Sequence, residues 1–262
     1  MINLMDGKRG LIVGVANERS IAWGIAKVLA LHGAELALTY QTESFKKRVR
    51  PLAESIGAKL VFYADVQNEQ SLISVFDNLK NAWGRLDFLV HAVAFSDKSE
   101  LAGDFINTSR SNFLNSLDIS CYSLLDLSRK AFPLMKSGGS IITLTYIGSQ
   151  RVTPNYNVMG VAKAALESTV RYLSNDLGKQ GITVNAISPG PMKTLAGAAI
   201  GDARKVYRIA EANSPLKANP SQESVGGTAL YLLSDYGKHT TGEVIFVDGG
   251  YHIIGMPQLA ES

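Results

Sequence analysis

The chain has a single cysteine, Cys121, so no internal disulfide can form and no cysteine zinc site can be built. Its four histidines, His32, His91, His239 and His252, lie far apart without metal-ligand spacing, and no metal is expected. No apolar run reaches the roughly 20 residues that cross a bilayer. Residues 1–8 carry Asp6 and no long apolar stretch, unlike a secretory signal. An excess of one charge is also missing: 26 basic against 23 acidic residues leave a net +3, scattered along the chain. Nucleic-acid binding gains little from that, and the densest basic cluster, Lys46-Lys47-Arg48 with Arg50, reads as a solvated helix face. A reducing cytoplasm, with no membrane and no nucleic acid as partner, fits these absences.

What is present suits a buried core: 46% of residues are apolar and 19% charged, over 262 residues that one α/β domain can fill. Seven short, nearly continuous apolar runs (9–15, 35–41, 59–66, 86–95, 140–147, 183–188 and 243–247) alternate with helical patterns. That order predicts a doubly wound α/β fold, a seven-stranded parallel sheet covered by helices on both faces. Helices are predicted at 21–32, with Ser20 as N-cap and Gly33 as stop, and at 71–82 and 109–132. A further helix at 43–56 contains Pro51, which should kink or break it. No repeat, low-complexity tract or linker divides the chain, so a single domain, 1–262, is expected.

Behind the first strand, Gly14-Val-Ala-Asn-Glu-Arg-Ser20-Ile21-Ala-Trp-Gly24 turns directly into a helix. A helix N-terminus offers N–H groups and partial positive charge to a pyrophosphate, although the familiar G-x-G-x-x-G is absent and a plain structural turn explains the glycines equally well. After the second strand, where a carboxylate commonly holds an adenosine ribose, stands Tyr40-Gln41-Thr42. Gln41 can bond a ribose, and Lys46 to Arg48 could meet a 2′-phosphate, so charge alone leaves NADH and NADPH open. Asp65 and Val66 end the third strand, where Asp65 can accept from an adenine amino group or cap a helix.

Tyr156 and Lys163 are seven residues apart on a predicted helix, nearly two turns, and so share a face. Spacing proves little, because Tyr40/Lys47, Tyr172/Lys179 and Tyr231/Lys238 have it too. Only Tyr156 follows the fifth strand at the carboxyl end of the sheet, where open α/β sheets bind ligands. A phenol beside an ammonium there should have a lowered pKa and can stabilise an oxyanion.

Together with Tyr156-Asn-Val-Met159-Gly-Val-Ala-Lys163, Val184-Asn-Ala-Ile-Ser-Pro-Gly-Pro and Val247-Asp-Gly-Gly, this turn resembles the divergent branch of the short-chain dehydrogenase/reductase family. That branch holds the bacterial NADH-dependent enoyl-acyl-carrier-protein reductases, and the likeness extends over almost the whole chain. It implies a Rossmann-type domain, with Tyr156 as proton donor, Lys163 on the cofactor ribose and Tyr146 as a second active-site tyrosine. Ordinary ketoreductases of the family carry a serine about a dozen residues before the tyrosine, where this chain has Thr143 and Thr145. Their strand-four Asn-Ala-Gly is His91-Ala-Val-Ala94 here, and both departures favour enoyl reduction. Ser96 stands where the enoyl reductases are expected to have alanine.

The resemblance further implies hydride transfer from NADH to a trans-2-enoyl thioester in the last step of fatty-acid elongation, NADPH being the less favoured cofactor. The cofactor would meet Gly14, Ser20, Ile21, Gln41, Asp65, Val66, Val93, Lys163, Met192 and Thr194. The acyl substrate would meet Phe95, Ser96, Tyr146, Met159, Ala196 and Ile200, under a lid spanning about 192–212, the alternative there being an ordinary amphipathic helix packed on the sheet. An acyl carrier protein would dock on Arg204, Lys205 and Arg208, charges that plain surface solvation explains equally well, and four copies would assemble with residues 249–256 near an interface. The alternatives are a 3-oxoacyl or other carbonyl reductase using the same tyrosine and lysine, and a nucleotide-sensing regulator without chemistry.

Overall fold

Continuous apolar strands need cover on both sides, and the chain supplies it. The computed structural model describes residues 3–195, 197 and 202–256. Seven strands form: β1 (Arg9–Val13), β2 (Glu35–Tyr40), β3 (Leu60–Tyr63), β4 (Phe88–His91), β5 (Gly139–Leu144), β6 (Ile182–Pro189) and β7 (Val244–Val247). All pair in parallel, in the order β3-β2-β1-β4-β5-β6-β7. Several are shorter at their carboxyl ends than the apolar runs suggest. β4 stops at His91, because its neighbour β1 ends at Val13 and Gly14 then turns the chain away.

Successive strand residues point to opposite faces. Ile12, Leu36, Leu38, Val90, Ile142 and Ile187 pack beneath α1 (Ile21–Leu31), α2 (Glu43–Ser55) and α8 (Gln222–Leu233). Leu11, Val13, Ala37, Leu89, Ile141 and Val184 pack beneath α3 (Glu69–Trp83), α5 (Ser123–Ala131) and α6 (Asn157–Gly178). Each fully buried leucine contributes about 1.5–3 kcal/mol, so both faces drive folding. The remaining α-helices among the described residues are α4 (Arg110–Leu117) and α7 (Ala203–Asn213).

Three helix expectations need correction. α2 runs through Pro51 to Ser55 without interruption: the proline removes one N–H, while buried Val49 and Ala53 on either side hold the helix to the sheet. The stretch 109–132 is not one α-helix, since a π-helical segment, Asp118–Tyr122, separates α4 from α5. Ser20 occupies the N-cap position of α1 without capping it, because its hydroxyl is engaged elsewhere. Among the described residues, no helix is long and apolar enough to cross a membrane. The strand order reverses between β1 and β4, which opens a crevice at their carboxyl ends.

Candidate active site

At the crevice, Gly14 has φ +116°, and a Cβ there would fall 2.1 Å from the Ala92 carbonyl oxygen. Glycine is thus required by the close approach of β1 to the segment after β4. Ser20 Oγ accepts from the backbone N–H groups of Ala16 and Asn17, both at 3.0 Å, folding the turn onto the head of α1. From the far end of the chain, Gln222 on α8 donates to the carbonyls of Glu18 (3.0 Å) and Ser20 (2.9 Å) and clasps the same turn. A cavity of about 240 Å³ lies beside it, lined by Glu18, Arg19, Met192, Thr194 and Gln222 among others. Met192 and Thr194 are therefore brought to the glycine turn, while Tyr146 and Tyr156 lie outside this lining.

Gln41 is exposed at the end of β2. Lys46 is paired with Glu43 at 2.9 Å and lies over the Tyr40 ring, and the Glu43 carboxylate holds its pKa above the usual lysine value. Asp65 does not cap α3; Asn68 does, accepting from Ser71 N, and Asp65 Oδ1 instead accepts from Gln67 N in a local turn. Val66, Val93 and Ile21 are half-buried.

The second wall is built by β5 and α6. Tyr156 is not inside the helix but at its N-cap, between two residues with left-handed backbone, Asn155 (φ 58°) and Asn157 (φ 32°). Such backbone is costly for residues with side chains and concentrates at functional sites. Asn157 Nδ2 donates to the carbonyls of Glu100 and Gly103, tying the turn to the loop before α4. The Tyr146 and Tyr156 rings meet edge to face, centroids 5.0 Å apart at 65°, packed with Leu101 and Met159. Gly148 makes this possible: a Cβ there would lie 2.5 Å from Tyr156 Cδ1 and 3.4 Å from Tyr146 Cδ1.

Lys163 is buried and donates to the Leu144 carbonyl at 2.8 Å. Burial lowers its ammonium to about 8, against the opposing pull of Cys121 and Glu167. Tyr156 runs opposite to the sequence expectation. Burial, with Tyr146 and Glu167 adding to it, pushes its phenol far above the usual tyrosine value, and the Lys163 ammonium points to a carbonyl rather than lowering it. Tyr146 is pushed up to about 12, again chiefly by burial. Both phenols therefore keep their protons at neutral pH.

Neither threonine stands in for a ketoreductase serine. Thr143 Oγ1 is 2.7 Å from His91 Nδ1, and Thr145 Oγ1 donates to Glu167 Oε1 at 2.7 Å. His91 is fully buried, also meets Ser123 Oγ at 2.7 Å, and burial lowers its pKa to about 3.

A family model described as enoyl-(acyl carrier protein) reductase matches residues 14–252, which takes in the glycine turn, both tyrosines, Lys163 and α8. The chain belongs to the enoyl-(acyl carrier protein) reductase family. It is 56% identical over 256 residues to the NADH enoyl-acyl-carrier-protein reductase of Rickettsia felis, covering 98% of each chain. With one of the NADH enoyl-acyl-carrier-protein reductases of Rhizobium meliloti it shares 57% identity, over 97% of this chain and 93% of that one. The crystal structure of the Anaplasma phagocytophilum reductase in complex with NAD superposes with a TM-score of 0.96 at 56% identity, covering 99% of both chains.

In this family member the segment after β4 is fastened from below. Ser120 Oγ accepts from Phe95 N (3.0 Å) and donates to Phe95 O (3.2 Å), and Asn112 Oδ1 accepts from Ser96 Oγ (3.2 Å) and Asp97 N (2.9 Å). The Phe95 side chain remains half-exposed, and the Ser96 hydroxyl is turned into Asn112. Ala196 and Ile200 lie outside the described residues. Arg204, Lys205 and Arg208 are exposed on α7. Sequence reasoning misses Gly148, Asn157, Gln222 and Glu167. Only Glu167, one turn beyond Lys163 on the same helix, has a spacing that could have singled it out.

Proposed function

We propose that the chain is an NADH-dependent enoyl-acyl-carrier-protein reductase that reduces the trans-2 double bond of an enoyl thioester. The observation that carries this reading is the edge-to-face pair of buried, protonated tyrosines at the head of the helix that bears Lys163. The donor set around the crevice fits a dinucleotide: a glycine turn on a helix N-terminus, an ammonium at the end of β5, and Met192 and Thr194 across the turn. Gly14, Ser20, Ile21, Gln41, Asp65, Val66, Val93, Lys163, Met192 and Thr194 would hold it. The exposed Gln41 can hydrogen-bond the hydroxyls of an unphosphorylated ribose. When bound, reduced nicotinamide supplies the hydride.

The chain's own residues do the rest. Negative charge gathers on the thioester oxygen as the β-carbon is reduced. Tyr156 donates a hydrogen bond to that oxygen, and its raised pKa keeps the proton in place until charge develops. The Lys163 ammonium, buried and still mostly protonated at neutral pH, adds positive potential. Tyr146, with Phe95, Ser96, Met159, Ala196 and Ile200, shapes the acyl pocket. The stretch 192–212 closes as a lid, and exposed Arg204, Lys205 and Arg208 receive the acidic surface of the carrier protein. Exposed apolar side chains in and around α5 and on α6, Tyr122, Leu125, Phe132 and Tyr172, suit association between copies, which we take to be a homotetramer in the cytoplasm.

The test is a grid following loss of reduced-nicotinamide absorbance with trans-2-enoyl and 3-oxoacyl thioesters, each with NADH and NADPH. Turnover confined to the enoyl thioester with NADH supports the reading. Turnover of the 3-oxo substrate instead refutes it in favour of a carbonyl reductase.

A further inference from the structure

Glu167 lies on the inner face of α6, 6% exposed, one helical turn past Lys163. Its carboxylate is surrounded by donors from one stretch of chain, the connection between β5 and α6. Thr145 Oγ1 donates at 2.7 Å and Ser149 Oγ at 2.5 Å to Oε1, and Gln150 Nε2 donates at 3.4 Å to Oε2. These donors bracket Tyr146 on both sides. An ionised carboxylate is the acceptor-only group such a cluster needs, whereas a glutamine would turn its own NH₂ toward hydroxyls or toward Gln150. Buried carboxylates are rare unless something is gained by holding the charge there.

We propose that Glu167 is a positioning residue of this active site: its buried carboxylate fastens the Tyr146-bearing segment to the helix of Lys163 and keeps a negative charge one turn from the Lys163 ammonium. The proposal rests on the reductase reading above. Tyr146 reaches its edge-on contact with Tyr156 from a segment whose backbone is tied to β6 before the tyrosine, Thr145 N to Ile187 O, and held beyond it by short-range turns, Ser149 N to Tyr146 O and Gln150 N to Ile147 O. Glu167 is the side chain that joins this segment to α6 on either side of the tyrosine. The titratable groups around Lys163 are Glu167 on its own helix, Cys121 on the π-helical segment and His91 on β4. His91 is neutral above acidic pH, and the desolvation of Lys163 is opposed first by Cys121 and then by Glu167, the one carboxylate of the three.

Wild type, Glu167→Gln and Glu167→Asp are compared in two measurements. NADH binding is followed by nicotinamide fluorescence from about pH 6 to about pH 10, the span that brackets a buried lysine. At acidic pH, where Lys163 is charged in all three, kcat and the KM for NADH are measured with a trans-2-enoyl thioester as acceptor. In wild type, binding should weaken as Lys163 titrates near 8. Glu167→Gln should move that transition to lower pH, since the carboxylate raises the Lys163 pKa, and Glu167→Asp should restore it. Glu167→Gln should also lower kcat about 10- to 100-fold with little change in KM for NADH, the scale of a slightly misplaced group. A merely structural glutamate would lower the melting temperature and leave the binding transition in place, which overturns the proposal, as does a wild-type kcat in Glu167→Gln. A wild type that binds NADH but reduces no enoyl thioester refutes the reductase reading alone, because the binding transition still reports on Glu167.

Discussion

Adding one methyl group at Gly148 should disable the enzyme while leaving its cofactor site intact. The new Cβ would stand 2.5 Å from Tyr156 Cδ1 and 2.8 Å from Cε1, whereas carbon atoms rest at about 3.5–4.0 Å. The backbone has no retreat toward α6, since Gly160 already abuts the Gly148 carbonyl so closely that a Cβ on Gly160 would fall 2.7 Å from it. Nor can the methyl swing toward Tyr146, whose Cδ1 is 3.4 Å away. The Tyr156 ring must therefore move by about 1 Å. Such a displacement of a catalytic group costs on the order of 100-fold in rate, or about 2.7 kcal/mol of barrier. Overpacking adds about 1–3 kcal/mol of destabilisation, read as a fall of about 2–4 °C in Tm per kcal/mol for a domain of this size. Steady-state kinetics with a trans-2-enoyl thioester, a thermal melt and an NADH titration separate these effects. Lys163, bonded to Leu144 O, is not touched by the methyl, so the NADH dissociation constant should hold. A Gly148→Ala protein with wild-type kcat would refute the reasoning, and so would one whose whole loss appears in NADH affinity.

Tyr156→Phe removes the donor without moving the ring and should lower kcat by about 10²- to 10³-fold while NADH binding persists; an undiminished rate in the absorbance assay would remove Tyr156 from the chemistry. Lys163, depressed from 10.5 to about 8, makes activity and stability diverge with pH. The folded state gives up this proton before the unfolded chain does, so stability should rise between about pH 8 and 10 while kcat/KM falls, and the stability increment should vanish in Lys163→Met melts. Reversing Arg204 and Lys205 to Glu should raise KM for a carrier-bound enoyl substrate and spare a coenzyme A thioester; equal effects on both would discard the docking surface.

The sheet is legible in the sequence because a strand buried on both faces is nearly continuously apolar, as in Leu-Ile-Val of β1 and Ile-Ile-Thr-Leu of β5. The limits of the strands are less so, since a strand ends where its neighbour leaves, and the neighbour of His91 leaves at Gly14 for reasons of backbone approach to Ala92. Pro51 misleads because local propensity is outweighed by packing of Val49 and Ala53, and the π-helical turn has no composition of its own. Tyr156 and Lys163 stand out by their position after β5, yet the direction of the Tyr156 shift cannot be read from a neighbouring lysine. It depends on how completely the ring is buried and on where the ammonium points. Glu167 and Gly148 act through contacts made only once the loop after β5 folds back on α6.

The clasp that Gln222 places on the glycine turn spans 202 and 204 residues of chain, to Ser20 and Glu18. A ribosome has thus made the first strand and its turn long before the side chain that completes the turn exists. A nascent chain ending short of α8 would carry every other part of the dinucleotide cradle described here and still lack its finished shape. Cofactor capture then becomes a late event of synthesis, and bound NADH a marker that the carboxyl-terminal helix has docked.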